Sequence, residues 1–321
     1  MTRVLVTGGA GFIGSHVCQR LLAAGQEVHV LDNLDPFYEP TRKQRNLQEL
    51  STLGGNRFRY FQGDIRDGAM CKQALAGCDA VVHLAALAGV RPSIQDPVRY
   101  MDVNVTGTQM LLNQIDSSAV RFVFGGSSSV YGGNTKVPFA EEDPVEHPVS
   151  PYAASKRAGE LLCSTFHHLR GNPVACLRFF TVYGPRQRPE MAIHQFARCI
   201  LSGQPLPFFG NGESRRDYTY VEDIVTGVVA ATGYPKGFGI YNLGGSATTS
   251  LRELVEGLEA ELGRKAILRQ LPEQPGDVPI TYADIRRAER DLGYRCTTPV
   301  REGLRRFCEW YRIERDAGRL P

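Results

Sequence analysis

A tyrosine and a lysine four positions apart are the residues of this chain best placed to move a proton. Tyr152 and Lys156 follow Ser150 and Pro151, a pair that favours the start of a helix. Residues i and i+4 share one face of a helix, so the ammonium is expected beside the phenol. A tyrosine with a pKa of about 10 is a poor base at neutral pH, and a nearby positive charge favours its phenolate. The spacing predicts a general base, although such pairs are also common on exposed helices.

A run of serines is the second candidate for chemistry. Ser127 and Ser128 closely follow an apolar segment, residues 121–125, that is predicted to be a strand. In a parallel sheet, ligands bind at the carboxyl ends of the strands. We therefore expect Ser127 to hydrogen-bond a substrate hydroxyl and hold it against Tyr152, with Ser128 as a second candidate for that contact. The alternative is an ordinary serine-rich loop, in which one of these hydroxyls only caps a turn.

The amino-terminal segment VLVTGGAGFIG has the pattern of a phosphate-binding turn between a strand and a helix. Glycine allows the tight turn, the close approach of the backbone to a pyrophosphate, and the packing of the helix on the strand. The first helical residues then present unpaired N–H groups to the anion. We expect a dinucleotide to be bound here by Gly8, Gly11, Phe12, Ile13 and Gly14.

An acidic residue after the second apolar run indicates which dinucleotide is bound. Asp32 lies 18 residues past Gly14, the usual distance for a carboxylate that takes the hydroxyls of the adenosine ribose. It repels a 2′-phosphate, so the pattern predicts NAD as the cofactor, while Arg42 and Lys43 downstream leave NADP as an alternative. Further candidates for the adenosine end are Asn33, Lys43, Asp64 and Ile65.

The elements that must position these residues alternate between short apolar runs and longer helical patterns. The predicted strands are residues 3–7, 27–31, 57–62, 80–84, 121–125 and 173–179. The predicted helices are residues 13–24, 68–75, 98–116 and 151–170. Several strands are apolar without alternation, as strands buried on both faces are. This order predicts an α/β fold with a Rossmann-type, doubly wound parallel sheet.

The second half of the chain has a different texture, because proline and glycine become frequent after about residue 180. Helical patterns remain at residues 191–201, 221–232, 251–262, 285–292 and 300–314. We interpret residues 1–180 as an NAD-binding domain and residues 181–321 as a smaller, mixed α/β lobe that binds the substrate over the carboxyl edge of the sheet.

The composition excludes several classes of function. The net charge of +3 without long runs of like charge argues against nucleic-acid binding, and no apolar stretch approaches the ~20 residues of a membrane span. No signal peptide is visible, and the eight cysteines form no C-x-x-C pair, which is typical of a cytoplasmic protein with reduced thiols. No cluster of histidine, cysteine and carboxylate has the spacing of metal ligands, so no metal is expected.

Several motifs together resemble the extended short-chain dehydrogenase/reductases that act on nucleotide sugars. They are TGGAGFIGSH, HLAALAGVR, SSSVYG, SPYAASK and LRFFTVYGPRQRP, and the resemblance runs along essentially the whole chain. It implies a catalytic triad of Ser127, Tyr152 and Lys156, and an NAD that takes a hydride from sugar C4 and leaves a 4-keto intermediate. It adds to the expected cofactor-binding residues Leu84, Ala85, Ala86, Asn104 and Phe179.

The segment after Ser127 distinguishes three reactions within this family. The 4,6-dehydratases carry an Asp-Glu acid–base pair where this chain has Ser128 and Ser129, which cannot serve in that way. The UDP-glucuronate decarboxylases commonly carry a glutamate in the same loop, and none lies between Ser127 and Tyr131. An epimerase needs no such acid, so the resemblance implies a 4-epimerase.

The residues expected to bind the substrate follow from the resemblance to the UDP-glucuronate 4-epimerase group. Galactose-type epimerases usually have asparagine where Thr181 stands, and Thr181 and Arg188 have donors that suit a C6 carboxylate. Arg188 is alternatively a diphosphate-binding or a surface arginine. The other expected contacts to the UDP-sugar are Arg91, Ser128, Phe208 or Phe209 against uracil, Arg216 on the diphosphate, and Asp277 on the ribose.

Other interpretations of the sequence remain open at this point. A 4-epimerase of UDP-glucose or UDP-N-acetylglucosamine, a UDP-glucuronate decarboxylase, and a non-catalytic NAD-binding regulatory scaffold are the alternatives. A scaffold usually loses the tyrosine or the lysine, and this chain has both. The helices at residues 98–116 and 151–170 match those that commonly pair in this family, so we expect a homodimer.

Overall fold

The computed structural model describes residues 2–234, 237–245, 247–272 and 278–320. The strands are β1 Arg3–Thr7, β2 Glu27–Asp32, β3 Phe58–Gln62, β4 Ala80–His83, β5 Arg121–Ser127, β6 Val174–Phe179, β7 Thr181–Tyr183, β8 Pro205–Phe209, β9 Arg215–Arg216, β10 Tyr218–Tyr220, β11 Phe238–Leu243, β12 Thr249–Ser250 and β13 Ile267–Leu271. The α-helices are α1 Phe12–Ala23, α2 Pro40–Gly54, α3 Gly68–Leu75, α4 Val90–Gln95, α5 Pro97–Met101, α6 Gly107–Asn113, α7 Pro151–Arg170, α8 Ala192–Ser202, α9 Val221–Thr232, α10 Leu251–Leu262, α11 Arg286–Leu292 and α12 Val300–Asp316.

A parallel seven-stranded sheet in the order β11-β6-β5-β4-β1-β2-β3 forms the centre of the molecule. One face packs against α1 and α9, and the other against α3, α6 and α7, so each face buries its own apolar cluster. The inner strands β1, β2, β4, β5 and β6 are almost fully buried, which explains their continuous apolar sequence, whereas the edge strand β3 is largely accessible. The predicted doubly wound α/β fold is confirmed.

The predicted strands and helices agree with the structure to within a few residues, with one consequential difference. β5 runs on to Ser127, two residues beyond its predicted end, so the serine is the last residue of a strand. The helix predicted at residues 98–116 is shorter and interrupted: α5 passes through a π-helical turn, Asp102–Thr106, into α6.

The carboxyl-terminal lobe contains short two-stranded sheets. β7 pairs with β10 and β8 with β13 in parallel, and β9 pairs with β12 antiparallel. Between these segments the chain returns to the central sheet, because α9 packs on α1 and β11 pairs with β6. The edge strand β11 of the central sheet therefore comes from beyond residue 180. The division of the chain into two domains at that residue remains a prediction.

Two absences apply to the part of the chain that the structure describes. No helix there is long and apolar enough to cross a bilayer. No group of three or more histidine, cysteine, aspartate or glutamate residues in the same ranges is arranged to hold a metal ion.

Candidate active site

Tyr152 and Lys156 lie in the first two turns of α7, where the sequence predicts them. The Ser150 hydroxyl accepts a hydrogen bond from the Ala153 amide and caps the helix, and Pro151 occupies its first turn. The left-handed Gly171 (φ 75°) ends it. Because both ends of α7 are defined by local sequence, the positions of the two side chains on its inner face are defined as well.

Lys156 is buried beneath the carboxyl end of β5. Its Nζ donates a hydrogen bond to the Gly125 carbonyl at 2.8 Å and lies 5.2 Å from the centre of the Phe124 ring. Burial lowers the pKa of Lys156 to about 8. A lysine in this state still carries its charge at neutral pH, and it releases the proton more readily than a lysine in water.

Tyr152 is partly buried beside Ser127. Burial raises the pKa of the phenol above its ordinary value, and the Ser127 hydroxyl and the Arg188 charge act in the opposite direction. Tyr100 packs edge-on against the Tyr152 ring, with 6.3 Å between ring centres, and donates its own hydroxyl to the Ala88 carbonyl at 2.8 Å. The surroundings thus hold the phenol in place and contain two groups that favour its ionised form.

The serine segment turns sharply after β5. The Ser127 hydroxyl accepts a hydrogen bond from the Ser129 amide at 3.2 Å and donates to the Ser129 hydroxyl at 3.1 Å. Ser128 begins a 3-10 turn, Ser128–Tyr131, and is partly exposed. A side chain at Gly126 would lie 2.9 Å from the Leu177 carbonyl of the neighbouring strand, so this glycine allows β5 to approach β6 closely at the catalytic serine.

The glycine cradle has the geometry that a pyrophosphate requires. Gly8 has a φ of 70°, and a Cβ there would lie 2.8 Å from the Ala85 amide. A Cβ on Gly14 would collide with the Gly8 carbonyl, whereas one on Gly11 would meet nothing nearer than 3.2 Å. Gly8 and Gly14 thus permit the turn, and the more open Gly11 leaves room for a phosphate beside the amino end of α1.

The acidic end of β2 fits an adenosine ribose. Asp32 accepts hydrogen bonds from the Ala10 amide at 3.1 Å and the Leu34 amide at 2.9 Å, which hold its carboxylate in one orientation. Lys43 donates to the Asp35 carbonyl at 2.7 Å, and Arg42 contacts His194 of α8 at 3.2 Å. Because both cations already have partners, the cradle supports NAD better than NADP.

Some of the remaining residues expected at the cofactor lie at the carboxyl edge of the sheet, and others have side chains buried in the core. The Leu84 and Ala85 amides bond to Thr7, and Asp64 is held by Asn33 and by Arg66, which lowers the pKa of the Asp64 carboxyl to about 2. These residues, with the adjoining Ala86 and the partly exposed Phe179, lie at the carboxyl edge of the sheet. The side chains of Phe12 and Ile65 belong to the core, so only their backbones are available to a ligand.

A buried histidine that the sequence interpretation did not identify, His83, connects the cradle with α7 through hydrogen bonds. The Thr108 hydroxyl donates to the Asn104 carbonyl at 2.6 Å, so its oxygen accepts the hydrogen bond from His83 Nε2 at 2.9 Å. On the other side of the ring, His83 Nδ1 accepts a hydrogen bond from the Thr7 hydroxyl at 2.7 Å. Burial lowers the pKa of His83 to about 3, which keeps the ring neutral. The Asn104 side chain accepts a hydrogen bond from the Leu87 amide and donates to the Leu87 carbonyl. It also donates to the Ser155 hydroxyl of α7.

Two of the predicted substrate residues lie on segments that leave the sheet toward the lobe. Arg188 lies 5.8 Å from the Phe37 ring, pairs with Glu190 at 3.2 Å, and is close enough to influence Tyr152 electrostatically. Thr181 is the first residue of β7, just past Phe179, and is partly exposed. The structure thus places Arg188 within electrostatic range of Tyr152, and Thr181 just past the end of β6.

The residues predicted for the nucleotide end are only partly brought together. Arg91 stacks on Phe209 with 5.5 Å between the guanidinium carbon and the ring centre. Phe208 points the other way and is 2% exposed within the core, so Phe209 is the member of the pair with an accessible face. Arg216 donates to the Arg215 carbonyl at 2.9 Å, and Asp277 lies outside the described residues.

The parallel sheet, the glycine cradle, and the Ser–Tyr–Lys set at its carboxyl edge define a short-chain dehydrogenase/reductase type of enzyme with NAD as cofactor. The model of the NAD dependent epimerase/dehydratase family matches residues 4–244. The chain belongs to that family, which confirms the resemblance of its motifs and the prediction of an NAD-dependent enzyme.

Proteins of known activity are similar to this chain along its whole length. The UDP-glucuronate 4-epimerase of Thermodesulfobacterium geofontis is 41% identical over 310 residues, which are 95% of each chain. The UDP-glucuronic acid 4-epimerase of Bacillus cereus, solved with UDP-glucuronic acid and NAD, has a TM-score of 0.91 at 36% identity and covers 97% of this chain and 99% of its own. The dTDP-glucose 4,6-dehydratase DesIV of Streptomyces venezuelae, solved with NAD, has the same TM-score at 35% identity and 98% coverage of both chains.

Proposed function

We propose that this protein is an NAD-dependent epimerase that interconverts UDP-glucuronate and UDP-galacturonate. The observation that carries the proposal is the set of side chains at the end of β5 and the start of α7. Tyr152, Lys156 and Ser127 are assembled there, and Ser128 and Ser129 stand where a dehydratase has its acid pair. Relatives with this activity share about 40% of its sequence, and a solved enzyme with this substrate shares its fold.

The chain's own groups supply the proton chemistry at sugar C4. Tyr152 accepts the proton of the 4-hydroxyl, Ser127 holds that hydroxyl by a hydrogen bond, and the Lys156 charge favours the phenolate. When bound, NAD supplies the complementary step, acceptance of a hydride from C4 and its return to the opposite face. The protonated Tyr152 then returns its proton to the C4 oxygen, which becomes the new 4-hydroxyl, so the site ends each turnover as it began.

Elimination, one competing reaction of a 4-keto sugar, requires groups that this segment lacks. Elimination at C5 and C6 needs a carboxylic acid and a carboxylate beside the sugar, and residues 127–131 are serines, valine and tyrosine. We infer that the site favours rotation of the 4-keto sugar and its reduction. A 4-epimerase that acts on neutral UDP-sugars is the second candidate, because it needs the same three groups.

A panel of UDP-sugars tests the proposal. Purified protein is incubated with UDP-glucuronate, UDP-glucose and UDP-N-acetylglucosamine, and products are identified by NMR. We expect UDP-galacturonate as the main product, with UDP-glucuronate the preferred substrate by kcat/KM. Equal turnover of UDP-glucose overturns the substrate assignment, and release of NADP in place of NAD from the denatured protein overturns the role of Asp32.

A variant of the base separates catalysis from binding. Tyr152→Phe keeps the ring and removes the phenolic oxygen, and loss of a general base typically costs about 10²–10⁴-fold in rate. We expect kcat to fall within that range and the Kd for UDP-glucuronate, measured by calorimetry, to remain close to wild type. Tyr234→Phe, two residues past the end of α9, is the matched control.

We also propose that the protein is a homodimer in the cytoplasm. Apolar side chains that solvent reaches cluster on α4, α5 and α7: Ile94 is 62% exposed, Val98 77%, Leu161 52% and Leu169 74%. α4 and α5 both pack against α7, so a second copy of the same face would cover these side chains. All eight cysteines are free thiols, seven of them buried, which suits a reducing compartment.

A further inference from the structure

Arg178 is a fully buried cation in the central sheet, and the proposed mechanism does not use it. It lies in β6, is 1% exposed, and is paired in register with Gly126, the residue before the catalytic serine. Burial of a guanidinium is costly unless its donors are satisfied. Its partners therefore indicate why the charge is present.

The first partner is on the catalytic helix. Nε of Arg178 donates to one Glu160 oxygen at 2.8 Å and Nη2 to the other at 3.0 Å, which makes a two-bond fork. Glu160 stands four residues after Lys156 and eight after Tyr152, on the same face of α7. Burial alone would lower the pKa of Arg178, but the Glu160 carboxylate raises it above its ordinary value, so the guanidinium keeps its charge. A planar fork fixes both distance and orientation.

The second partner is on the serine segment. The Arg178 guanidinium lies 4.8 Å from the centre of the Tyr131 ring, and Tyr131 ends the 3-10 turn that begins at Ser128. The Tyr131 hydroxyl donates to Asn242 of β11 at 2.6 Å, so the ring cannot shift freely. One side chain thus contacts the helix that carries the base and the turn that follows the catalytic serine.

We propose that Arg178 is a positioning residue, which sets the spacing between Ser127 and Tyr152 through the Glu160 fork and the Tyr131 ring. The proposal deepens the proposed function and rests on it for its turnover measurements. Stability alone does not explain the pair, because apolar residues of similar volume often replace a buried ion pair without loss of stability. What apolar residues do not supply is a directional link between helix and turn.

Three variants separate positioning from stability. Arg178→Met removes the two-bond fork and leaves the buried Glu160 with Arg157 as its remaining ion-pair partner, and we expect it to lower both Tm and kcat. Arg178→Met combined with Glu160→Leu removes both charges, so Tm should recover most of the loss. Arg178→Lys keeps the charge and loses the fork. The matched control is Arg157→Gln, because Arg157 also donates to Glu160, at 2.9 Å, from a partly exposed position.

The expected result is a kcat about 10²-fold lower in the double variant and in Arg178→Lys, since positioning errors near 1 Å have effects of that size. KM should stay within about twofold, because none of the changed groups contacts the substrate in this mechanism. Arg157→Gln should keep the wild-type kcat. A double variant that regains both Tm and kcat, or an Arg178→Lys variant with full kcat, overturns the proposal.

A measurement without turnover keeps the two proposals apart. The ultraviolet titration curve of Tyr152 is obtained by subtracting the curve of the Tyr152→Phe counterpart from that of each protein, with NAD bound to both. The groups that face this phenol are Ser127, Arg188 and Tyr100. We expect the pKa of Tyr152 to rise in Arg178→Lys, because Ser127 no longer meets the phenol well.

An unchanged pKa of Tyr152 in Arg178→Lys overturns the positioning role, whatever the substrate is. If wild-type protein converts no UDP-glucuronate while the pKa of Tyr152 shifts as expected, the proposed function fails and the role of Arg178 stands.

Discussion

Lys156 is a charged side chain that is almost completely buried. Its buried charge lowers the stability of the fold, and the same charge is what the proposed mechanism requires. The folded lysine has a pKa of about 8 in place of 10.5. Between these values the unfolded chain binds the proton and the folded chain does not, so stability rises with pH across that interval. Below pH 8 the protonated lysine is destabilising, and in the proposed mechanism it is this charged form that favours the Tyr152 phenolate.

We therefore predict that Lys156→Met abolishes turnover and raises Tm by a few degrees at pH 7. The gain should be smaller at pH 10, where the wild-type lysine is already neutral in the folded state. Calorimetry of both proteins at the two pH values measures the difference. Lys72→Met, at an exposed position on α3, is the control and should change Tm equally little at both. A gain that does not depend on pH contradicts the argument.

Arg188 is the residue for which we predict a change in product and not only in rate. A ketone at C4 of glucuronate is β to the C6 carboxylate, and β-keto acids lose CO₂ when the breaking bond stands perpendicular to the carbonyl plane. A guanidinium and the Thr181 hydroxyl are suited to hold the carboxylate out of that alignment. We expect Arg188→Ala to lower epimerisation and to raise the fraction of UDP-pentose or its 4-keto form.

The ratio of UDP-galacturonate to decarboxylated product measures the effect of Arg188→Ala. Arg186→Ala is the neighbouring control, because Arg186 contacts Ser15 and Glu49 instead of the Tyr152 environment. We expect Arg186→Ala to affect the rate through Ser15 of α1 but to give the product ratio of wild type. An active Arg188→Ala enzyme with an unchanged ratio removes Arg188 from the carboxylate site.

Residues with a local signature could be predicted from the sequence, and residues defined by distant partners could not. Tyr152 and Lys156 share one helical turn, and Asp32 lies at a regular distance from the glycines, so spacing alone places them. Arg178 and His83 belong to apolar strands, and their roles depend on hydrogen bonds to residues distant in sequence. Arg178 bonds to Glu160 and His83 to Thr108, and these partners are adjacent only in the folded chain. The need for glycine at position 126 is likewise explained only by the close approach of β6.

Among the elements, α7 approaches β5 more closely than an ordinary side chain would allow. A Cβ on Gly159 would collide with the ring of Phe124, the same ring that lies beneath Lys156. Overpacking of a core typically costs about 1–3 kcal/mol. We predict that Gly159→Ala lowers Tm by several degrees and lowers kcat, because the helix that carries Tyr152 is pushed away from Ser127.

A second-site change provides the test of this packing. Phe124→Leu in the Gly159→Ala background makes room for the methyl group and should restore part of both Tm and kcat. Gly133→Ala is the control, since a Cβ there would have no neighbour within 4 Å. If Gly159→Ala alone is as stable and active as wild type, α7 is not held against β5 by this contact.

At the same scale, sequence patterns identified elements with an apolar face and missed those without one. α2 was not predicted, because its sequence PTRKQRNLQELSTLG is largely polar and buries few apolar side chains, among them Leu47 and Leu50. β11 reads FGIYNL, whose glycine and asparagine disfavour a strand until β6 supplies its partner. The π-helical turn near Asn104 depends on hydrogen bonds to Leu87 and has no signature of its own.

At the scale of the whole molecule, the exposed apolar side chains of α5 and α7 indicate that two copies of the chain associate. We expect a dimer in solution, and we expect Val98→Arg combined with Leu161→Arg to give a monomer, because charged side chains would be buried at the centre of the interface. Light scattering coupled to size exclusion measures the mass. Leu53→Arg, at an exposed apolar position on α2, is the control and should leave the mass unchanged.

The path of the chain through the central sheet limits how such enzymes can exchange specificity by recombination. A chimera with a single crossover near residue 180 would combine β6 and α1 from one parent with β11 and α9 from the other, so two core contacts would join unmatched surfaces. Two exchanged segments, residues 181–220 and 244–321, would transfer the lobe and leave the sheet of one parent intact. New substrate preferences in this architecture are therefore reached more readily by paired insertions or by point substitution than by the shuffling of contiguous halves.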